Sequence, residues 1–145
     1  MGYRVPIRNV LLSTGPIESK AQFLASARKL VEMGVKLFST EGTAQFLRAN
    51  QVETALLHWP LSQKSPNTIE YIRKRKLDLV INITKNSQEE ELTNDYMIRR
   101  TAVDYSVPLV TDLQLARRFV ETLSRKSIDD LQIKSWEEYG NGLSG

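Results

Sequence analysis

Five short apolar runs alternate with stretches of helical periodicity, and that alternation leaves few folds open to the chain. The runs lie at Val10 to Ser13, Val35 to Ser39, Glu53 to His58, Leu77 to Thr84 and Val107 to Val110, each separated from the next by a helix-length interval. Parallel neighbours in a sheet need a long crossover, which a helix supplies, so the pattern predicts repeated strand-helix-strand units around a parallel sheet. Phe23, Leu24, Ala27, Leu30 and Val31 recur at helical spacing until Gly34 supplies a stop. Ala44 to Asn50 and Asn67 to Lys76, with Ile69 and either Ile72 or Arg73 facing inward, predict a second and a third helix. A fourth contains Met97, Ile98, Thr101, Ala102 and Tyr105. Thr111-Asp112 then caps a last helix bearing Leu113, Leu115, Ala116, Phe119, Val120 and Leu123. Leu77 to Thr84 is almost continuously apolar, the signature of a strand buried on both faces. The polar run 85–91 has no apolar face and is expected to be a loop.

At 145 residues the chain fits one core domain over 1–126. Residues 127–145 are expected to form an appendage, packed through Ile133, Trp136 and Tyr139, with a disordered end beyond Gly140. There is no cysteine and a single histidine, His58, so disulfides, thiolate metal sites and a structural zinc site are ruled out, and no cofactor is expected. The net charge of +3 is mild, and the longest basic cluster, Arg73-Lys74-Arg75-Lys76, reads as a solvated helix end rather than a nucleic-acid patch. No run approaches the roughly 20 apolar residues of a membrane span and no signal-peptide core opens the chain, so it is read as soluble and intracellular. Cytosol is the default expectation, with an organellar home left open.

The polar residues gather where the strands end. The second strand runs into Ser39-Thr40-Glu41-Gly42-Thr43 before a helix starts. Ser13-Thr14-Gly15 closes the first strand ahead of Lys20, His58-Trp59 the third and Asn82-Ile83-Thr84-Lys85 the fourth. Parallel strands all point the same way, so these ends share one rim, where ligands of open α/β sheets bind. Ser39 to Thr43 has two readings: hydroxyls that cap the helix, or a cradle in which free N–H groups and the positive pole of the helix receive an anion. A helix dipole alone is worth about 0.3–1 kcal/mol, whereas even millimolar binding needs about 4 kcal/mol. A cradle therefore needs Lys20, Asn82 and an apolar wall such as Trp59 as well as Thr40 and Thr43.

With those residues on the page, the chain resembles the methylglyoxal-synthase-like regulatory domain at the carboxyl end of the carbamoyl phosphate synthetase large chain, over roughly Val5 to Leu123. The most specific stretch is Tyr96-Met97-Ile98-Arg99-Arg100-Thr101-Ala102, followed by Val107-Pro108-Leu109. The pieces Leu11-Leu12-Ser13, Ser39 to Thr43 and Asp78 to Asn82 fit in the same order. The resemblance implies a Rossmann-like α/β domain with a five-stranded parallel sheet ordered 3-2-1-4-5 and helices on both faces. It also implies an allosteric role, with a small anionic effector and the other synthetase domains as partners and no catalysis by the isolated chain. In members binding uridylate or inosinate, phosphate contacts fall at positions matching Lys20, Thr40 and Thr43, and ribose contacts near Asn82 and Thr84. A family lysine at the end of the third strand is Trp59 here, as in members responding to N-acetylglutamate and in those responding to uridine triphosphate and phosphoribosyl pyrophosphate. The family's asparagine-rich loop is Lys85-Asn86-Ser87, and Asn94-Asp95 puts a carboxylate where the family has an amide. The implied effector site is Lys20, Thr40, Thr43, Trp59, Asn82, Thr84 and Lys85, with no catalytic and no metal-binding residue. The alternatives are a methylglyoxal synthase, for which the histidine and glycine-rich segments match poorly, and an effector-free docking module using Arg99, Arg100 and the tail from Ile128.

Overall fold

A computed structural model describes residues 5–84, 89–126 and 132–133. Its elements in chain order are β1 (Val5–Pro6), β2 (Asn9–Thr14), α1 (Ile17–Glu32), β3 (Lys36–Ser39), α2 (Glu41–Ala49), β4 (Ala55–Leu56), a 3-10 turn (Pro60–Ser62), α3 (Thr68–Arg73), β5 (Leu79–Ile83), α4 (Glu89–Asp104), β6 (Leu109–Val110), α5 (Leu113–Lys126) and β7 (Gln132–Ile133). The main sheet is parallel throughout, in the order β4-β3-β2-β5-β6. Counting only its own strands, this is the expected 3-2-1-4-5.

Alternation along the strands divides the core into two layers. Val10, Leu12, Leu37, Leu79 and Ile81 point to one face, where Phe23, Ala27 and Leu30 of α1, Leu47 of α2 and Phe119 and Val120 of α5 cover them. Leu11, Phe38 and Val80 point to the other, against Ile72 of α3 and Ile98 and Ala102 of α4. All five residues of β5 are buried, as its unbroken apolar run predicts. Each fully buried Leu, Ile or Phe contributes about 1.5–3 kcal/mol of transfer free energy, so these two layers outweigh any surface contact.

Two stop signals work as expected. Gly34 takes φ +90° after α1, with the Val35 N–H returning to the Leu30 carbonyl at 3.0 Å. The Asp112 carboxylate accepts the Leu115 N–H at 2.8 Å at the start of α5. Other boundaries move. α2 starts at Glu41 rather than Ala44, and the third sheet strand shrinks to Ala55–Leu56, because Thr54 turns inward to the Leu37 carbonyl and the Ser39 hydroxyl.

The expected loop over 85–91 is corrected at its far end. Residues 89–91 are the first turn of α4, while 85–88 lie outside the described residues. Acidic residues suit a helix start through the dipole, and an opening turn needs no apolar face, so periodicity alone misses it. β1 pairs antiparallel with β7, in the register Val5 to Ile133. Ile133 is thus in a strand, and Trp136, Tyr139 and the end beyond Gly140 lie outside the described residues.

Candidate functional site

The carboxyl ends of β4, β3, β2 and β5 lie side by side, so the polar residues beyond them span three inter-strand spacings, roughly 14 Å. The turn after β3 is stitched to the end of β2. The Thr40 hydroxyl donates to Ser13 Oγ at 3.1 Å. Thr43 Oγ1 accepts the Thr14 N–H at 3.0 Å and donates to the Thr14 carbonyl at 3.1 Å. Thr40 and Thr43 are 0% and 2% exposed, so these bonds have no competition from water. Neither hydroxyl is spent on capping: Thr40 is the N-cap of α2 by position, yet its side chain makes no capping bond. The reading of these hydroxyls as helix caps is therefore overturned.

Lys20 reaches that helix start from α1. Its ammonium donates to the Gly15 carbonyl. It also stands 3.9 Å from the position a Cβ on Gly42 would occupy, with Cε at 4.0 Å. Lys20 thus stands beside the positive pole of α2, at ordinary contact distance from where a Gly42 side chain would begin. Gly15 is in turn fixed to β5 through its N–H to the Ile83 carbonyl, 2.8 Å. Two positive poles thus converge on one small volume, which is the electrostatics of an anion site.

Asn82, the penultimate residue of β5, stands opposite Ser13 and is fully buried. Its Nδ2 donates to Asp95 Oδ1 at 2.9 Å, while its Oδ1 has no partner among the described residues. Asp95 is itself buried on α4, and its neighbour Asn94 accepts the Leu61 N–H at 2.9 Å. Asn94-Asp95 thus holds two walls of the rim. The sequence marks this pair only as a departure from the family pattern, because its polar turn of α4 shows no periodicity.

Trp59 is half-buried and packs on the second core layer. Its carbonyl accepts from Asn67 Nδ2 and from the Ser62 hydroxyl, each at 2.9 Å, which fixes the turn that follows it. Thr84 is half-buried just past β5, and Lys85 lies outside the described residues. His58 Nδ1 meets Glu41 Oε2 at 2.9 Å, joining the end of β4 to the first residue of α2. The structure adds Asn94 and Asp95 to the rim and gives Ser13, Thr14 and Glu41, which the sequence already placed at the strand ends, partners remote in sequence. Among the described residues no group of three or more His, Asp or Glu side chains is placed to hold a metal ion, and no helix is long and apolar enough to cross a membrane.

Comparison with known proteins places this geometry. The multifunctional protein pyr1-3 of Dictyostelium discoideum is 38% identical over 128 residues, covering 85% of this chain and 6% of that protein. The mitochondrial carbamoyl-phosphate synthase (ammonia) of Homo sapiens is 32% identical over 146 residues, covering 97% and 10%. The chain therefore spans a tenth or less of the length of these relatives. Among solved structures, the methylglyoxal synthase of Elizabethkingia anophelis superposes with a TM-score of 0.57 at 16% identity, over 83% of this chain and 81% of that one, a likeness of fold. The family model of the MGS-like domain matches residues 22–111, well over half of the chain, and the protein belongs to the MGS-like domain family.

Proposed function

We propose that this chain is an allosteric effector-binding domain of a carbamoyl phosphate synthetase, that its pocket takes a small anionic metabolite, and that its other partners are the catalytic domains of the same synthetase. The observation that supports it most is the Lys20 ammonium beside Gly42 at the uncapped start of α2. The anion sits on the N–H groups of that first turn and on Lys20. Thr40 and Thr43, whose hydroxyl protons go to Ser13 and Thr14, act by holding the turn in place. Trp59 forms the wall on the β4 side, and Asn82 and Thr84 hydrogen-bond the remainder of the ligand, together with Lys85, which lies outside the described residues. A buried acceptor without a partner costs about 1–3 kcal/mol, so a ligand N–H or O–H that reaches Asn82 recovers that energy. The effector classes consistent with this arrangement are uridylate or inosinate, uridine triphosphate or phosphoribosyl pyrophosphate, and N-acetylglutamate. A regulatory role fits better than catalysis by the domain itself, because His58 is already engaged by Glu41.

Calorimetric titration with these five compounds tests the proposal. Occupancy at a hundredfold the dissociation constant should also raise stability by about 2.7 kcal/mol. Thr43→Ala and Trp59→Lys should both weaken the compound that binds, and unchanged affinity in both variants would sink the site assignment.

A further inference from the structure

The basic run Arg73 to Lys76 at the end of α3 is not four equivalent solvated charges. Lys74 pairs with Glu70 at 3.2 Å, and Lys76 lies over the Tyr71 ring at 5.0 Å. Arg73 instead lines an open groove of about 620 Å³ between the loop after the 3-10 turn, α3 and α4. Lys64 faces the same groove from the loop, and neither Lys64 nor Arg73 has an acidic partner among the described residues. Among the described residues, Glu70 is the one carboxylate in the lining. Lys74 and the helix-start backbone at Asn67 hold its carboxyl below the usual glutamate range, so it is already neutralised within α3. Ile69 and Met97 contribute apolar lining to the same groove as the two cations. Asn67 fixes the loop bank by donating to both the Trp59 and the Lys64 carbonyls and by capping α3.

We propose that this groove is a docking surface for an acidic polypeptide segment, in which one apolar side chain seats on Ile69 and Met97 and flanking carboxylates meet Lys64 and Arg73. Charge complementarity selects the occupant: Lys64 from the loop and Arg73 from α3, neither with an acidic partner among the described residues, share one groove with Ile69 and Met97 and match an extended acidic chain better than a compact metabolite, for which the groove is too open. The relatives supply the setting, since the matched segment there is a tenth or less of a longer chain. A covalently attached neighbour is present at an effective concentration of order millimolar, enough for a weak electrostatic contact to be populated. The inference is independent of the anion site at the strand ends.

The test is amide-resolved NMR titration of the whole chain with the peptide acetyl-Glu-Glu-Leu-Glu-Glu-amide, with its Gln-for-Glu counterpart and with citrate. Shifts should concentrate at Lys64, Ile69, Arg73 and Met97, with a dissociation constant of about 1 mM or below. They should weaken between about 50 and 200 mM salt as the charges are screened. Lys64→Glu with Arg73→Glu should reduce affinity at least about tenfold with native spectral dispersion retained, since both side chains are exposed. Arg73→Lys should keep most of the binding. No localised shift at about 5 mM peptide, equal binding of the Gln peptide, equal binding of citrate at this groove, or full binding by the doubly reversed variant would each overturn the proposal.

Discussion

Thr43→Val separates a residue that builds the cradle from one that merely touches a ligand. Valine matches threonine in shape, so the substitution leaves no cavity. It does remove the acceptor of the Thr14 N–H and the donor to the Thr14 carbonyl, 3.0 and 3.1 Å away in a site only 2–4% exposed. Each hydrogen bond is worth about 0.5–1.5 kcal/mol net, and a buried N–H left without a partner costs about 1–3 kcal/mol. The expected loss is about 2–3 kcal/mol, or roughly 6–12 °C in Tm for a domain of this size. Thr43→Ser keeps both bonds and loses one buried methyl, so it should cost about 1 kcal/mol. Urea unfolding without any ligand measures the difference as a midpoint shift at constant m-value. If the hydroxyl served only to contact an effector, the ligand-free Thr43→Val protein would be as stable as the parent and would lose only its ligand-induced stabilisation. A ligand-free loss smaller than about 0.5 kcal/mol, the size of an ordinary surface change, would refute the stitch between β2 and α2.

Gly42→Ala should leave stability unchanged or raise it by up to about 1 kcal/mol, because alanine favours the helix and its Cβ meets only the end of Lys20 at ordinary contact distance. Any anion affinity should fall, since that Cβ occupies the space between lysine and helix; calorimetry against thermal unfolding reads the two effects apart. Asp95→Leu should destabilise by about 1–3 kcal/mol in urea unfolding, because the buried Asn82 amide loses its acceptor. The Glu121 carboxyl is held below its usual range by Lys29, at 2.7 Å, with a smaller contribution from Arg125. A lowered folded pKa means stability that is present above the unfolded value, about pH 4.3, and lost as the pH falls through the folded one. Glu121→Gln should therefore flatten part of the acid limb of a stability profile, and an identical acid limb in both proteins would count against the α1–α5 pair.

The sheet was legible because its signal is local and redundant. Val10, Leu12, Leu79 and Ile81 against Leu11 and Val80 repeat with period two on neighbouring strands, and β5 is apolar at nearly every position. Gly34 and Asp112 were legible for the same reason, each acting within a few residues of its own helix end. The partners of the polar residues were not. Thr43 finds Thr14 across 29 positions and Asn94 finds Leu61 across 33. The sequence offered capping and ligand binding for Thr40 and Thr43, and the hydroxyls do not cap the helix. They bond to the next strand, an option that appears only once the strand order places β2 beside β3. The first turn of α4 escaped because its residues lack an apolar face, and the β1–β7 ladder because two-residue strands carry no period.

The same network explains why an α/β rim of this kind suits regulation. Asn94 holds Leu61, two residues past Trp59, and Asp95 holds Asn82 at the end of β5. Two consecutive residues of one helix therefore fix the outer and inner walls of the rim, while Thr40 and Thr43 fix the turn between them to β2. A ligand that bridges Lys20 and Asn82 spans elements held by α1, α2 and α4, and its binding energy is spread over all three. Coupling between sites requires a ligand to prefer one arrangement of such elements over another. If an effector binds at this rim as proposed, a donor that reaches the buried Asn82 Oδ1 would supply such a preference.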